Sequence, residues 1–164
     1  MDIDKIYIIS LDYANEKLQA KVLKGLSKLN FSKSTGYEIH RAWNGHTKGT
    51  APGYDVYSKW NMGSATTNNW WNRDILPGEI GCTTSHIQVW ERIVEEGLEK
   101  TLILEDDFDP NANIGILEEP SSYYDIAYLG RTKIDKNATE TSMGGSWVTP
   151  SVSYCTHAYV ITLE

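Results

Sequence analysis

Cysteine is scarce: Cys82 and Cys155 are the only two in 164 residues, and they stand apart without CxxC or paired zinc-type spacing. A disulfide scaffold or cysteine-rich zinc module is thereby excluded, leaving buried free thiols as the first reading and a single disulfide as the other. Positive charge is also in deficit, with 15 Lys and Arg against 22 Asp and Glu and a formal net charge of −7. Such a balance attracts neither a phosphate backbone nor an anionic lipid surface, so nucleic acid is not an expected partner. No apolar run approaches the ~20 residues of a membrane span. Met1-Asp2-Ile3-Asp4-Lys5 lacks the cationic start of a secretory signal, so the reading expects a soluble, cytoplasmic chain. Phe is nearly missing, at two residues, whereas six Trp and ten Tyr carry the aromatic content. Rings with a polar handle suit sugar stacking and half-buried core sites equally.

Along the chain, short apolar runs alternate with helical periodicity. Ile6-Tyr7-Ile8-Ile9 predicts a central strand within residues 4 to 11. Leu18, Val22, Leu26 and Leu29 recur at helical spacing over 15 to 29, with Asp12 or Asn15 available as cap. Alternation predicts a strand over 37 to 43, closed by the turn signal Asn44-Gly45. Pro77 and Glu79 suit a helix first turn, and Ile80, Thr83, Ile87, Trp90, Val94 and Leu98 predict a helix over 78 to 97. Cys82, His86, Val89 and Ile93 form a neighbouring stripe on it. Further strands are expected at 101 to 105, 124 to 129 and 156 to 162, with Arg131 and Lys133 in a loop and 135 to 146 polar and mobile. With no helix after the last strand, an apolar surface near Val160 is expected to be exposed or to lie in an oligomer contact. The β-α-β spacing suggests a parallel, doubly wound start.

Two stretches point to chemistry. Residues 46 to 76 form a long excursion in which Trp70 and Trp71 follow Asn68 and Asn69; these rings make a stacking platform for a sugar, or simply plug the loop against the core. Thr101-Leu102-Ile103-Leu104 runs straight into Glu105-Asp106-Asp107-Phe108-Asp109. Four carboxylates at the mouth of a core strand repel one another and call for a cation, unless they form only a solvated acidic loop. Asp107, Asp109, Asn111, Asn113 and Glu118 also fall at calcium-loop spacing from Asp107 to Glu118, but Ala112 stands where an EF-hand needs Gly and a strand precedes the loop where a helix is required.

Three blocks together resemble a known family. Leu76-Pro77-Gly78-Glu79-Ile80-Gly81-Cys82, with Ser85-His86 and Trp90 after it, followed by Leu102-Ile103-Leu104-Glu105-Asp106-Asp107, is similar to glycosyltransferase family 25, which contains lipopolysaccharide-core and collagen galactosyltransferases. Ile6 to Leu11, Ala42-Trp43-Asn44-Gly45, Tyr124 to Gly130 and His157 to Thr162 resemble further family segments, leaving 46 to 75 and 131 to 153 unmatched. The resemblance implies an α/β, GT-A-like single domain over residues 1 to 164, with a mostly parallel central sheet flanked by helices. It implies inverting transfer of a hexose, typically galactose, from a UDP-sugar to a hydroxyl of a glycan or glycoconjugate, assisted by Mn2+ or Mg2+. Ser10, Leu11, Gly45, Gly78, Glu79, Ser85, His86 and Asp106 are then the expected donor-binding residues, and Trp70 and Trp71 the acceptor platform. Glu105 and Asp107 are expected at the metal, with Asp106 and His157 as further ligands. By strand parity Glu105 and Asp107 point one way and Asp106 the other. Ser10 replaces the Asn of the family's first strand. Members continue past the last strand, so acceptor-side elements and the catalytic base are expected beyond this stretch, and no catalytic residue is assigned. A non-catalytic sugar-nucleotide or glycan-binding remnant is the alternative.

Overall fold

The computed structural model describes residues 1–29, 36–57, 59, 60, 73–109 and 118–163. Its elements are β1 (Lys5–Ser10), α1 (Glu16–Leu26), β2 (Gly36–Arg41), α2 (Gly45–Lys48), α3 (Pro77–Glu96), β3 (Lys100–Glu105), β4 (Ile126–Lys133), β5 (Thr141–Gly144), β6 (Trp147–Thr149) and β7 (Ser153–Thr162). Five strands form one sheet in the order β2-β1-β3-β7-β4, and β5 pairs with β6 in a separate hairpin. β1 is parallel to both β2 and β3, while β7 is antiparallel to β3 and β4. The α/β class with a largely parallel, mixed central sheet is therefore as expected.

Helices cover opposite faces of the parallel strands. Val22, Leu18 and Leu26 of α1 pack with Ile6, Ile8, Leu102 and Leu104, and Val89 and Ile93 of α3 pack with Tyr7, Ile9 and Ile103. Strands buried on both faces read as continuous apolar runs, which is why β1 and β3 are legible in the sequence. α1 begins where Asn15 Oδ1 accepts the Lys17 and Leu18 N–H groups. Gly25 sits in its last turn because a Cβ there would lie 2.7 Å from the Phe108 ring. α3 begins with Pro77 and ends at Gly97, whose φ of 64° and ψ of 38° form a left-handed cap.

Several expectations are corrected. Asn44 opens α2, its Oδ1 accepting from His46 and Thr47 N–H, so the turn signalled by Asn44-Gly45 is the start of a short helix. Arg131 and Lys133 lie on β4, and part of the stretch expected to be mobile, 135 to 146, forms β5, which pairs with β6 beyond it. Val160 is 0 % exposed, because β7 inserts between β3 and β4 and its inner face meets Leu102 and Ala127 in the core. The two cysteines are free but not buried: Cys82 is exposed and Cys155 half-buried. Strand β3 precedes the Asp107 to Glu118 stretch, so the entering helix of an EF-hand is absent. Among the described residues no helix is long and apolar enough to cross a membrane.

Candidate functional site

In a doubly wound sheet, ligands bind beyond the carboxyl ends of the strands where successive connections leave in opposite directions. Here β1 lies between β2 and β3, with α1 and α3 on opposite faces, so that point falls beside Ser10 and Glu105. A cleft of about 200 Å³ opens there, lined among others by Ser10, Leu11, Gly45, Gly78, Ser85, His86, Glu105 and Asp106. Most of the residues expected around a donor are thus brought together.

Glycines bring the walls of the cleft into contact. A Cβ at Gly81 would meet Trp43 O at 2.6 Å and Gly45 N at 2.8 Å, and one at Gly45 would run into the Pro77 carbonyl. The start of α3 and the start of α2 thus touch backbone to backbone. Ser85, fully buried, fastens the same junction: its hydroxyl donates to Gly81 O at 2.6 Å and accepts Trp43 N–H at 2.8 Å. Glu79 is not among the cleft-lining residues. Its carboxylate accepts the Leu76 N–H at 2.7 Å and pairs with both terminal nitrogens of Arg73 at 2.6 and 2.9 Å, and Arg73 holds its pKa down to about 2.

The acidic turn is shaped by where β3 stops. Phe108 N–H returns to Glu105 O at 3.1 Å, so strand parity ends at Glu105. Phe108 is buried against α1, Glu105 and Asp106 line the cleft, and Asp107 is exposed outside it. Asp106 Oδ2 accepts the Ser10 hydroxyl at 2.6 Å, and Ser10 Oγ in turn accepts Asp12 N–H at 3.0 Å. Ser10 thus has a definite task, the orientation of Asp106. Glu105 accepts from Thr156 Oγ1 at 2.8 Å and lies 3.4 Å from His86 Nε2; the His86 contact holds its carboxyl below the usual range against the effect of burial.

His86 belongs to a buried chain: its Nδ1 is hydrogen-bonded to Tyr159 Oη at 2.8 Å, and that oxygen accepts Trp90 Nε1–H at 2.8 Å. Among the described residues, the one group of three or more potential metal ligands is Cys82, His86 and Glu105. Asp106, Asp107 and His157 are not in it; His157 occupies the space a Cβ at Gly130 would need. Leu11, 59 % exposed, sits on the rim. Trp70 and Trp71 lie outside the described residues. Arg131 and Lys133 both reach Glu140, at 2.7 and 3.1 Å.

His46, Cys82, Thr156 and Tyr159 are the additions that the sequence reading did not place at a site. The Cys82–His86 spacing of one helical turn was the available signal, but Glu105 ends the next strand, and only the packing of α3 on the sheet brings it to them.

Comparison with known proteins identifies relatives of the chain. The chain is 30% identical over 172 residues to a glycosyltransferase 25 family member of Anopheles gambiae, covering 100% of this chain and 28% of that protein. It is 34% identical over 102 residues to procollagen galactosyltransferase 1 of Danio rerio, covering 56% of this chain and 17% of the relative. It is 35% identical over 101 residues to a human protein named inactive glycosyltransferase 25 family member 3, covering 56% of this chain and 17% of that protein. The chain therefore spans less than a third of the length of each of these curated relatives. The sequence profile of glycosyltransferase family 25 (LPS biosynthesis protein) matches residues 3–142, the stretch that holds both walls of the cleft up to the end of β3, and the chain belongs to that family.

Proposed function

We propose that this chain carries the donor-binding part of a glycosyltransferase that moves a hexose, galactose in first place, from a UDP-sugar to a hydroxyl of a glycan or glycoconjugate with inversion. The observation that carries the reading is the cleft at the carboxyl ends of β1 and β3, where Ser10 fixes Asp106 beside Glu105. Galactose is favoured by the name of the Danio rerio relative. In the reaction the acceptor oxygen bonds to the anomeric carbon, the bond to UDP breaks with its electrons leaving on the diphosphate, and a base takes the hydroxyl proton.

Cleft-lining Glu105 and Asp106 fit a manganese or magnesium ion of the kind held by one or two carboxylates and completed by substrate phosphates and water. Such an ion supplies positive charge to the departing diphosphate. Glu105 and Asp106 would hold it. Asp106, locked by Ser10, holds its orientation before substrate arrives, and Gly45 and Gly78 line the same cleft.

Calorimetry of UDP-galactose with manganese and with chelator tests this. Binding is expected only with the metal, and Asp106→Asn is expected to weaken it by at least about tenfold (~1.4 kcal/mol). Equal binding in chelator, or an unaffected Asp106→Asn, overturns the donor site. The name of the human relative favours a second reading, a sugar-nucleotide-binding protein without transfer. Donor binding without transfer to any offered glycan, in a protein extended to the length of its relatives, would select that reading.

A further inference from the structure

We propose that Cys82, His86 and Glu105 form a zinc-type metal site at the edge of the cleft, different in kind from an all-oxygen manganese site. The thiol sulfur, an imidazole nitrogen and a carboxylate oxygen all lie within 4.8 Å of one another. Small side-chain rotations suffice to bring them to one ion at ~2.3 Å for sulfur and roughly 2.0–2.2 Å for nitrogen and oxygen. Sulfur and imidazole suit a borderline-soft ion, whereas magnesium and manganese prefer oxygen throughout. Cys82 and His86 are four residues apart on α3 and therefore share one face of the helix, and Glu105 ends a strand pinned along its length by β1.

The groups behind the ligands fit the same purpose. Tyr159 Oη accepts Trp90 Nε1–H and has a second lone pair for an N–H from His86 Nδ1. An ion placed between Nε2 and Glu105 would take the place of their present 3.4 Å contact and hold the ring with its proton on Nδ1, and an outer partner on the other ring nitrogen is the usual way a ligating imidazole is oriented. Thr156 Oγ1 steadies Glu105 by the same logic. Exposure of Cys82 leaves room for a fourth ligand from solvent, and a chain of net charge −7 favours a cation. On binding, the S–H bond breaks, its proton passes to solvent and the sulfur–metal bond forms, with no change of oxidation state. The site shares Glu105 with the oxygen-ligand ion proposed above, so the two ions compete for that carboxylate, but the zinc-type site requires neither donor nor transfer.

The test is titration of chelator-treated protein with Co2+, a spectroscopic substitute for zinc, followed by competition with Zn2+. One equivalent should produce the near-ultraviolet sulfur-to-cobalt absorption, and zinc should abolish it. Cys82→Ser, a change at an exposed position, should remove the band with circular dichroism intact. Glu105→Gln should keep the band but weaken affinity by at least about tenfold (~1.4 kcal/mol), and Cys155→Ser should change nothing. No thiolate band in the parent protein, a band that survives Cys82→Ser, one lost in Cys155→Ser, or an affinity unaltered by Glu105→Gln overturns the site.

Discussion

The two halves of the sheet are built by different rules. In the parallel half, five of six residues in β1 and four of six in β3 are buried, because α1 and α3 close both faces. In the antiparallel half, Ala127 alone is buried in β4, the β4–β7 ladder shifts register twice between Tyr128 and Thr132, and Cys155 adopts a φ of 84°. The first half supplies the carboxylates of the cleft on a backbone with little freedom to move. The second supplies their supports, Thr156 and Tyr159, from a strand that has already bent to reach them. Rigid placement and adaptable support are divided between the two.

The largest expected effect separates the halves directly. Gly81→Ala gains up to ~1 kcal/mol of helix propensity, but its Cβ meets backbone atoms of Trp43 and Gly45 that no rotamer change can move. Overpacking of this kind costs about 3 kcal/mol, so the net loss should be about 2 kcal/mol or more and lower the melting temperature by at least about 4 °C. Gly130→Ala, in the antiparallel half, meets only the His157 ring, which can turn away, and should cost about 1 kcal/mol or less. Equal losses in a thermal melt would abolish the distinction.

A smaller effect probes the join between the halves. Tyr159→Phe removes the oxygen that serves both His86 and Trp90 and leaves their nitrogens unpaired in a closed setting, at about 1–3 kcal/mol. Urea denaturation should show that loss with an unchanged slope; no shift of the midpoint would mean that this oxygen adds nothing to the β3–β7 ladder and the Thr156–Glu105 bond that already join the halves.

The smallest effect lies at the start of α3. Because the pKa of Glu79 is depressed to about 2 from an ordinary 4.5, its contribution to stability is fully present above the ordinary value and is lost as pH falls toward 2. The pair is partly solvated, with side chains 19 and 30 % exposed, so the effect is modest. Glu79→Gln should lower stability near neutrality and flatten the decline of melting temperature below pH 4.5. A parallel decline in both proteins would remove Glu79 from the account.

How much the sequence revealed follows the same division. β1, β3, α1 and α3 were legible because burial on two faces or one helical stripe leaves a direct apolar signature, as in Ile6 to Ile9 and Leu102 to Leu104. β4 was anticipated short of Arg131 and Lys133, since these charges read as loop until Glu140 appears opposite them. β5 and β6 are strands of four and three residues, too short for alternation to mark them. At the site, Asp106 stood out by motif and Ser10 as a departure from it, but their hydrogen bond joins residues far apart in sequence and only the β1–β3 pairing brings it about. Parity misplaced Asp107 because alternation ceases where the turn at Phe108 begins.

The contact between Gly45 and Gly81 also determines what the intervening stretch is free to become. Gly49 to Leu76 departs and returns at a junction already fastened by Ser85, so its span is closed whatever its length. Doubling such a loop costs only ~0.6 kcal/mol of closure entropy. A change in the length of that segment therefore carries only a small entropic cost at the junction.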